Sequence, residues 1–289
     1  MTYIGAHVSS QGGVEKSILR AHQLGATAFS LFLNNPLRWN HSSLTNKIVN
    51  NFHKNCKIYG YSSLQILPHS SFLINLGHPD KNMNKKSCYA FIHEINCCYQ
   101  LGLIMINIHP GSYLYQITEQ KCLEIISDSI NFVLNQTRKV VIVLENTAGQ
   151  GSNVGYCFEH LAFIINKIED KSRIGVCLDI CHLFAAGYQL NDTDIFLDTF
   201  KKFNTLIGLK YLYGIHMNDS KGKCNSRLDR HHNLGYGKIE KHVFSKIVQI
   251  TEFQNIPIIL ETKNITMWKN EILWLQQQSL LCQKSILKK

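Results

Sequence analysis

The segment SRLDRHHNLGYG, residues 226–237, places an aspartate and a histidine two positions apart. In an extended backbone, residues i and i+2 point to the same side, so Asp229 and His231 form a ready two-point chelate for a metal ion. A second histidine, His232, follows directly. Taken alone, the segment also fits a solvated polar loop, because a chelate needs an ion and a third ligand from elsewhere in the chain.

Other metal-binding side chains stand where short apolar segments end. They are His69, His109, Glu145, Asp179, His182, His216 and Glu261. A single histidine at a strand end is usually a hydrogen-bonded core residue, but seven such groups at six successive strand ends are hard to explain in that way. Three carboxylates crowded together raise one another's pKa by repulsion, and bound divalent cations remove that cost.

With Asp229 and His231, these side chains make nine metal donors that include no cysteine. Histidine combined with carboxylates suits Zn²⁺, with Mn²⁺ or Fe²⁺ as substitutes. Nine donors are too many for one tetrahedral ion, so the set predicts a cluster of two or three ions with a bridging carboxylate. In this interpretation Asp229 and His231 hold an additional ion, with His182 as its third ligand.

Eight apolar segments rich in β-branched residues carry these groups. They are residues 3–9, 28–33, 64–69, 104–111, 140–146, 174–181, 211–219 and 256–262. Segments with helical periodicity separate or follow them, for example residues 15–24, 88–101, 119–134, 158–168, 194–206, 241–250 and 267–282. Continuous apolar strands between helices indicate a parallel sheet with both faces covered.

Eight such units in 289 residues predict a (β/α)8 barrel, a TIM barrel whose active site lies at the C-terminal ends of the strands. The alternative is a doubly wound open sheet, but no G-x-G-x-x-G follows the first strand. We expect one domain over residues 1–282 and a short, frayed basic tail at 283–289.

The chain has 30 Lys and Arg against 20 Asp and Glu, a formal net charge of +10. This excess favours an anionic partner such as nucleic acid, although a chain rich in Lys, Asn and Ile is equally typical of an AT-rich genome. No apolar run is long enough for a membrane span, and the N-terminus lacks a signal peptide. The ten cysteines have no C-x-x-C spacing and are interpreted as reduced thiols. We therefore expect a cytoplasmic protein without membrane contact, and a monomer.

Several longer motifs together resemble bacterial endonuclease IV, the zinc-dependent apurinic/apyrimidinic endonuclease family. They are GAHVS, NIHPGS, LENTAGQGSN, GVCLDICH, HMNDSKGKCNSRLDRHHNLGYG and ILET, and the similarity extends from about Tyr3 to Leu275. The resemblance implies a (β/α)8 barrel with three zinc ions. It also implies hydrolysis of the phosphodiester 5′ to an abasic site in duplex DNA, leaving a 3′-hydroxyl and a 5′-deoxyribose phosphate. Removal of blocked 3′ ends is a second expected activity.

The same resemblance assigns the nine donors to three sets. They are His69, His109 and Glu145 for one zinc; Glu145 as a bridge, with Asp179, His216 and Glu261, for the second; and His182, Asp229 and His231 for the third. Among the ligands, Glu145 and Glu261 are the predicted catalytic residues, and Glu261 orients the attacking water or accepts its proton. His7 is a candidate for a supporting or phosphate-facing role. His232 is interpreted as a surface or phosphate-contacting residue.

Members of this family bend the duplex and flip the abasic nucleotide out, with side chains inserted from the minor groove. The candidates here are Arg38 in NNPLRW and Phe72 in HSSFLINLGHP. Both depart from the family pattern, since relatives tend to carry tyrosine in place of Phe72 and the inserting arginine appears here one residue later. For contacts with DNA phosphates, the loop around the third ion offers Lys221, Lys223, Arg227 and Arg230.

Two other functional classes remain open from the residues alone. Barrel sugar isomerases bind two divalent ions with histidine and carboxylates. Isomerisation of a neutral sugar, however, requires neither a loop that holds a third ion nor a basic surface. A non-catalytic DNA-binding module with structural zinc is the other alternative. Structural zinc sites are usually closed and rich in cysteine, whereas these donors are predicted on an open rim.

Overall fold

The computed structural model describes residues 2–39 and 43–286. Its centre is a curled sheet of parallel strands. Its strands are β1 (Tyr3–His7), β2 (Ala28–Ser30), β3 (Met105–Ile108), β4 (Val141–Glu145), β5 (Ile174–Asp179), β6 (Leu212–His216) and β9 (Pro257–Leu260). Two further short strands, β7 (Asp219–Ser220) and β8 (His231–His232), form a separate antiparallel pair. Across the sheet the order is β2, β1, β9, β6, β5, β4, β3.

The gap between β2 and β3 is closed by residues 66–69, the C-terminal part of the predicted third strand. The amide of Leu67 donates to Phe29 O at 3.0 Å, and the amide of Asn107 donates to Pro68 O at 2.7 Å on the other side. Pro68 has no N–H, so the ladder is interrupted there and the segment pairs through isolated bridges. This segment occupies the eighth strand position of the barrel, and the predicted (β/α)8 barrel is confirmed.

Helices cover the outside of the barrel. They are α1 (Glu15–Gln23), α2 (Asn46–Tyr59), α3 (Lys81–Gln100), α4 (Glu119–Gln136), α5 (Phe158–Lys167), α6 (Ile180–Ala186), α7 (Thr193–Leu206), α8 (Lys241–Gln249) and α9 (Trp268–Ile286). Side chains cap several first turns, as when Thr118 accepts from the Lys121 amide. The helical segments predicted from the sequence do not include α2 or the short α6. The omission of α2 was avoidable, because its apolar residues contact the core at helical spacing; they are Ile48, Val49, Phe52, Cys56 and Tyr59.

Every predicted strand extends beyond the observed one, and in two places the excess residues belong to another element. The strand predicted over 174–181 ends at Asp179, because its carboxylate accepts from the His182 amide at 2.7 Å and caps α6. Ile180 and Cys181 therefore belong to a helix. The strand predicted over 211–219 ends at His216, and Asp219 lies instead in β7, paired with β8.

The barrel interior separates an apolar end from a polar end. Successive residues of a strand point to opposite faces, so Glu145 shares the inward face with Val141 and Val143, and Asp179 shares it with Cys177. These three apolar residues pack together with Leu67 and Met105. The interior is thus filled with apolar side chains below and lined with carboxylates at the C-terminal ends of the strands.

At the C-terminus, α9 continues to Ile286, so the first residues of the predicted tail are helical. Residues 287–289 lie outside the described part of the chain. No helix within residues 2–39 and 43–286 has the length and apolarity that a membrane span requires. The single domain over 1–282 stays a prediction.

Candidate metal centre

The structure brings all nine predicted donors to the C-terminal rim of the barrel. Within each of three groups, the donor atoms lie within 4.8 Å of one another. The groups are His69, His109 and Glu145; Glu145, Asp179, His216 and Glu261; and His182, Asp229 and His231. They coincide with the three sets that the resemblance implied, and Glu145 belongs to two of them.

The first group has spacings that fit a tetrahedral ion. Zinc holds nitrogen and oxygen ligands at roughly 2.0–2.1 Å, which places two ligand atoms about 3.3 Å apart in a tetrahedron. His69 Nε2 lies 3.3 Å from Glu145 Oε2, and His109 Nε2 lies 3.5 Å from Glu145 Oε1. His69 Nδ1 donates to Ser70 O at 2.8 Å, and this bond leaves Nε2 as the free ligand atom.

The second group lies deepest in the barrel. His216 Nδ1 is 3.1 Å from Glu145 Oε1 and 3.2 Å from Glu261 Oε2. Glu145 Oε1 and His216 Nδ1 are both buried, and neither has a hydrogen-bond partner among the residues that the structure describes. Buried polar atoms are costly when unpaired, so a cation that accepts both atoms as ligands fits this site.

The third group answers the question posed by the DRHH segment. His182 enters from α6, and its Nε2 lies 3.2 Å from Asp229 Oδ1. His231 Nε2 lies 3.3 Å from His182 Nε2 and 3.5 Å from Asp229 Oδ1. His231 is not in an irregular loop as expected, because β8 pairs it with Ser220 of β7. This short antiparallel pair holds the chelate against the barrel.

A fourth combination, Asp179, Cys181 and His231, also has donor atoms within 4.8 Å. Burial raises the pKa of the Cys181 thiol to about 12, and its Sγ lies 3.8 Å from Arg230 O. A thiol binds metal as the thiolate, so this environment disfavours it as a ligand. We therefore assign His231 to the group with His182 and Asp229.

The electrostatics of the centre are those of a cation site. Burial tends to raise the pKa of Glu145, but His216 and His109 lower it well below its ordinary value. Burial tends to lower the pKa of His182, but Asp179 and Asp229 raise it well above its ordinary value. Glu145 thus stays ionised, and the site attracts positive charge, which bound metal ions would supply in place of protons.

Three asparagines and His7 orient the donors, and of these the sequence reasoning missed Asn107 and Asn218. Asn107 donates to Glu145 Oε2, and Asn218 donates to Asp179 Oδ2 at 2.7 Å. The side-chain oxygen of Asn146 accepts from the Asp179 amide at 2.7 Å. His7 Nδ1 is 2.8 Å from Glu261 Oε1, which agrees with the expected supporting role. A signal was available, since each asparagine interrupts or follows an apolar strand.

The residues predicted to meet DNA lie on loops at the same rim. Phe72 is 57% exposed and has its ring 5.7 Å from that of His69. Arg38 is exposed and follows Leu37, which is 71% exposed. On the third-group loop, Lys221, Lys223, Arg227 and Arg230 are all exposed. Arg227 stacks over Tyr156 at 4.5 Å, and Arg230 donates to Asp229 O at 2.6 Å.

A buried carboxyl outside the metal centre, Glu94 on α3, accepts from the Ser71 amide at 3.2 Å. Burial raises its pKa from 4.5 to about 8. Between these values the folded protein keeps a proton that the unfolded chain releases, so the free energy of unfolding falls as pH rises, by at most about 1.4 kcal/mol per unit. Above pH 8 this loss of unfolding free energy has reached its full value, and below the pKa of Glu94 in the unfolded chain there is no loss.

Glu94→Gln is neutral at every pH and should lack this decline. Its stability relative to the parent is expected to increase from pH 5 to pH 7, by up to about 2 kcal/mol in total. Denaturant unfolding of both proteins, loaded with metal identically, measures the difference. Parallel stability curves across this range would show that the Glu94 carboxyl ionises normally in the folded protein.

Known proteins are similar to this chain over almost its whole length. "Probable endonuclease 4" of Buchnera aphidicola subsp. Acyrthosiphon pisum (strain Tuc7) is 56% identical over 281 residues, which cover 97% of this chain and 100% of that protein. The crystal structure of endonuclease IV from Thermus thermophilus superimposes with a TM-score of 0.83 at 29% identity, covering 96% of this chain and 98% of that one.

The wider fold family includes sugar-converting enzymes. A D-tagatose 3-epimerase-like protein superimposes with a TM-score of 0.76 at 19% identity, over 99% of this chain and 100% of that one, and this likeness concerns the fold alone. The family model for the xylose isomerase-like TIM barrel matches residues 18–278. Taken with the relative at 56% identity, these matches show that the chain belongs to the endonuclease IV family within the xylose isomerase-like TIM barrels.

Proposed function

We propose that this protein hydrolyses the phosphodiester 5′ to abasic sites in duplex DNA, leaving a 3′-hydroxyl and a 5′-deoxyribose phosphate. The observation that carries the proposal is the presence of three donor groups at the rim, two of which share Glu145. A single-ion hydrolase needs only one such group, whereas clustered ions suit the in-line displacement at a phosphate. The formal net charge of +10 suits a polyanionic substrate.

We further propose that three Zn²⁺ ions occupy these groups, with Mn²⁺ as a substitute. The histidine and carboxylate donors, their tetrahedral spacings and the unpaired buried atoms fit this ion. When bound, the ions supply a Lewis acid for the phosphate and lower the pKa of water. Side chains of the protein orient the water, accept its proton and bind the DNA.

Glu261 is the proposed proton acceptor. It is 17% exposed at the side chain, the most accessible carboxylate of the second group, and His7 fixes its Oε1 while Oε2 faces His216. In this position Glu261 orients the attacking water and accepts its proton. Glu145 is buried and holds the first two groups together, so its part in catalysis is to fix their separation.

The rim loops would hold the damaged duplex. Phe72 wedges into the base stack and Arg38 enters the groove beside it, while phosphates contact the basic loop between β7 and β8. An abasic nucleotide costs less to unstack and flip, so a wedge favours this lesion. Removal of blocked 3′ ends would use the same centre. We place the enzyme in the cytoplasm as a monomer.

The test is nicking of a duplex with one abasic site, with and without a chelator. We expect cleavage on the 5′ side that a chelator abolishes and added Zn²⁺ restores, and no cleavage of the intact duplex. Isomerisation of a free sugar without nicking would favour the isomerase alternative. Binding without nicking under every metal condition would favour the structural-zinc alternative.

Phe72→Ala should weaken binding to abasic duplex by about 1–3 kcal/mol, the value of stacking on one base, without loss of metal. Arg38→Ala should have a smaller effect, because Pro36 restricts the backbone before it. Binding titrations at one salt concentration measure both variants, since the phosphate contribution depends steeply on salt. If Phe72→Ala kept the parent preference for abasic over intact duplex, the wedge would have to lie elsewhere.

A further inference from the structure

Two exposed loops lie side by side at the rim near His69. The first, residues 34–38, follows β2, and the second, residues 70–73, follows the closing segment of the barrel. Each presents a large apolar side chain to solvent, Leu37 at 71% exposure and Phe72 at 57%. Phe72 also packs edge-on against Phe32, with ring centroids 5.0 Å apart.

A single buried serine joins the two loops. The hydroxyl of Ser71 donates to Pro36 O at 2.8 Å and accepts from the Leu73 amide at 3.2 Å. Ser71 is 4% exposed and directly precedes Phe72, while Pro36 directly precedes Leu37. The two exposed apolar residues, Leu37 and Phe72, therefore each directly follow one partner of the same partly buried hydrogen bond.

The serine is in turn fixed to α3. Its amide donates to both carboxyl oxygens of Glu94, each at 3.2 Å, and Glu94 is 2% exposed. Burying a carboxyl group is costly compared with an apolar side chain, and the hydrogen bond to Ser71 offsets part of that cost. The contact ties the loop backbone to a long helix at a defined point.

The first loop has a second tether on the same helix. Lys86 of α3 places its Nζ 4.2 Å from the centroid of the Trp39 ring, a cation–π contact. Lys86 and Glu94 are eight residues apart in sequence, about two helical turns. Leu37 and Arg38 thus project between two anchored points, Pro36 and Trp39.

We propose that Ser71 and Glu94 are positioning residues that hold loops 34–38 and 70–73 as one rigid unit, so that Phe72 and the Leu37–Arg38 pair engage damaged duplex DNA together. The proposal rests on the DNA substrate of the proposed function. A preformed unit binds without first ordering two separate loops, and this saving appears as affinity. Loss of the tie should affect duplex binding and leave the chemical step unchanged.

Steady-state cleavage of abasic duplex tests this, with KM and kcat measured separately. Ser71→Ala removes the tie to Pro36 and should raise KM about tenfold, the value of one such hydrogen bond, with kcat within about twofold of the parent. Ser127→Ala is the matched control, because it removes a buried hydroxyl that bonds to Leu123 O inside α4, away from the rim. It should leave KM unchanged.

Glu94 provides the conservative comparison. Glu94→Gln retains an oxygen that accepts from the Ser71 amide and should keep the parent KM, whereas Glu94→Ala should raise KM as Ser71→Ala does. A double-mutant cycle on kcat/KM adds a readout that loss of stability does not move. Leu37→Ala and Phe72→Ala should be non-additive by about threefold or more in the parent, and additive in the Ser71→Ala background.

Three results would overturn the proposal while the parent enzyme still nicks abasic duplex. They are an unchanged KM in Ser71→Ala, a fall in kcat with loss of metal in that variant, and additive effects of Leu37→Ala and Phe72→Ala in the parent. The second result would mean that Ser71 acts through His69 on the metal centre. A parent protein that does not nick abasic duplex would instead refute the proposed function, so the two failures are distinguishable.

Discussion

Glu261→Gln is expected to lower kcat for abasic-duplex cleavage by about 10²–10⁴-fold while leaving binding of the duplex within about twofold. The substitution keeps the size of the side chain and an oxygen that can accept from His7. It removes the negative charge that we propose accepts the proton of the attacking water. Because that interaction matters in the transition state and not in substrate binding, kcat should fall and affinity should persist.

Single-turnover cleavage and a binding titration at fixed salt measure the two quantities. Glu252→Gln is the matched control, since Glu252 is an exposed carboxylate remote from the donor groups, and it should behave as the parent. The metal content of both variants should be determined in parallel. Equal losses of binding and turnover in Glu261→Gln, together with lost metal, would show that Glu261 chiefly holds the centre together.

Asp229→Ala should remove one ion of three and lower cleavage by about a hundredfold or more, while the barrel stays folded. Asp229 contacts both His182 and His231, so its loss leaves a pair of histidines that hold an ion poorly. The barrel strands do not depend on this residue, which is half-buried on the loop before β8. Circular dichroism should therefore be unchanged.

Asp128→Ala, on the exposed face of α4, controls for loss of an aspartate elsewhere and should keep both the metal and the activity. A variant Asp229→Ala with full metal content and normal nicking would contradict the assignment. It would show that the DRHH segment is a solvated turn and that His182 and His231 meet for another reason.

Much of the centre was predictable because a parallel barrel collects the ends of its strands at one rim. Glu145, Asp179 and His216 end β4, β5 and β6, as the apolar segments indicated. His109 and Glu261 each follow a strand by one residue. The position of each donor along its strand was therefore enough to place these donors at one rim, whereas their division into three sets came from the family resemblance.

Other features depend on contacts that no local pattern contains. The hydrogen bond from Ser71 to Pro36 joins residues 35 positions apart, and that to Glu94 joins residues 23 apart. The apolar sequence continues to Cys181 and predicts a longer strand, but β5 ends at Asp179 because the Asp179 side chain caps α6 by accepting from the His182 amide. Sequence also cannot decide whether Phe72 is core or surface, because its apolar neighbours fit either role.

The third donor group favours the proposed phosphodiester hydrolysis over the two-ion sugar isomerase interpretation that the residues left open. It uses side chains from α6, from the loop before β8 and from β8 itself, outside the barrel strands. Isomerisation of a neutral sugar would require neither this additional donor group nor the exposed basic residues around it. A phosphodiester uses both, because positive charge is needed on the phosphate and along the flanking backbone.

Elemental analysis of protein purified without chelator is the most direct test of the central claim that nine side chains at one rim hold a cluster of metal ions. We expect about three zinc ions per chain, because the donors form three groups and neighbouring groups share only Glu145. The same analysis of Asp229→Ala should give about two. A parent protein that, supplied with Zn²⁺ and freed of loosely bound metal, retains one ion or none would contradict the account.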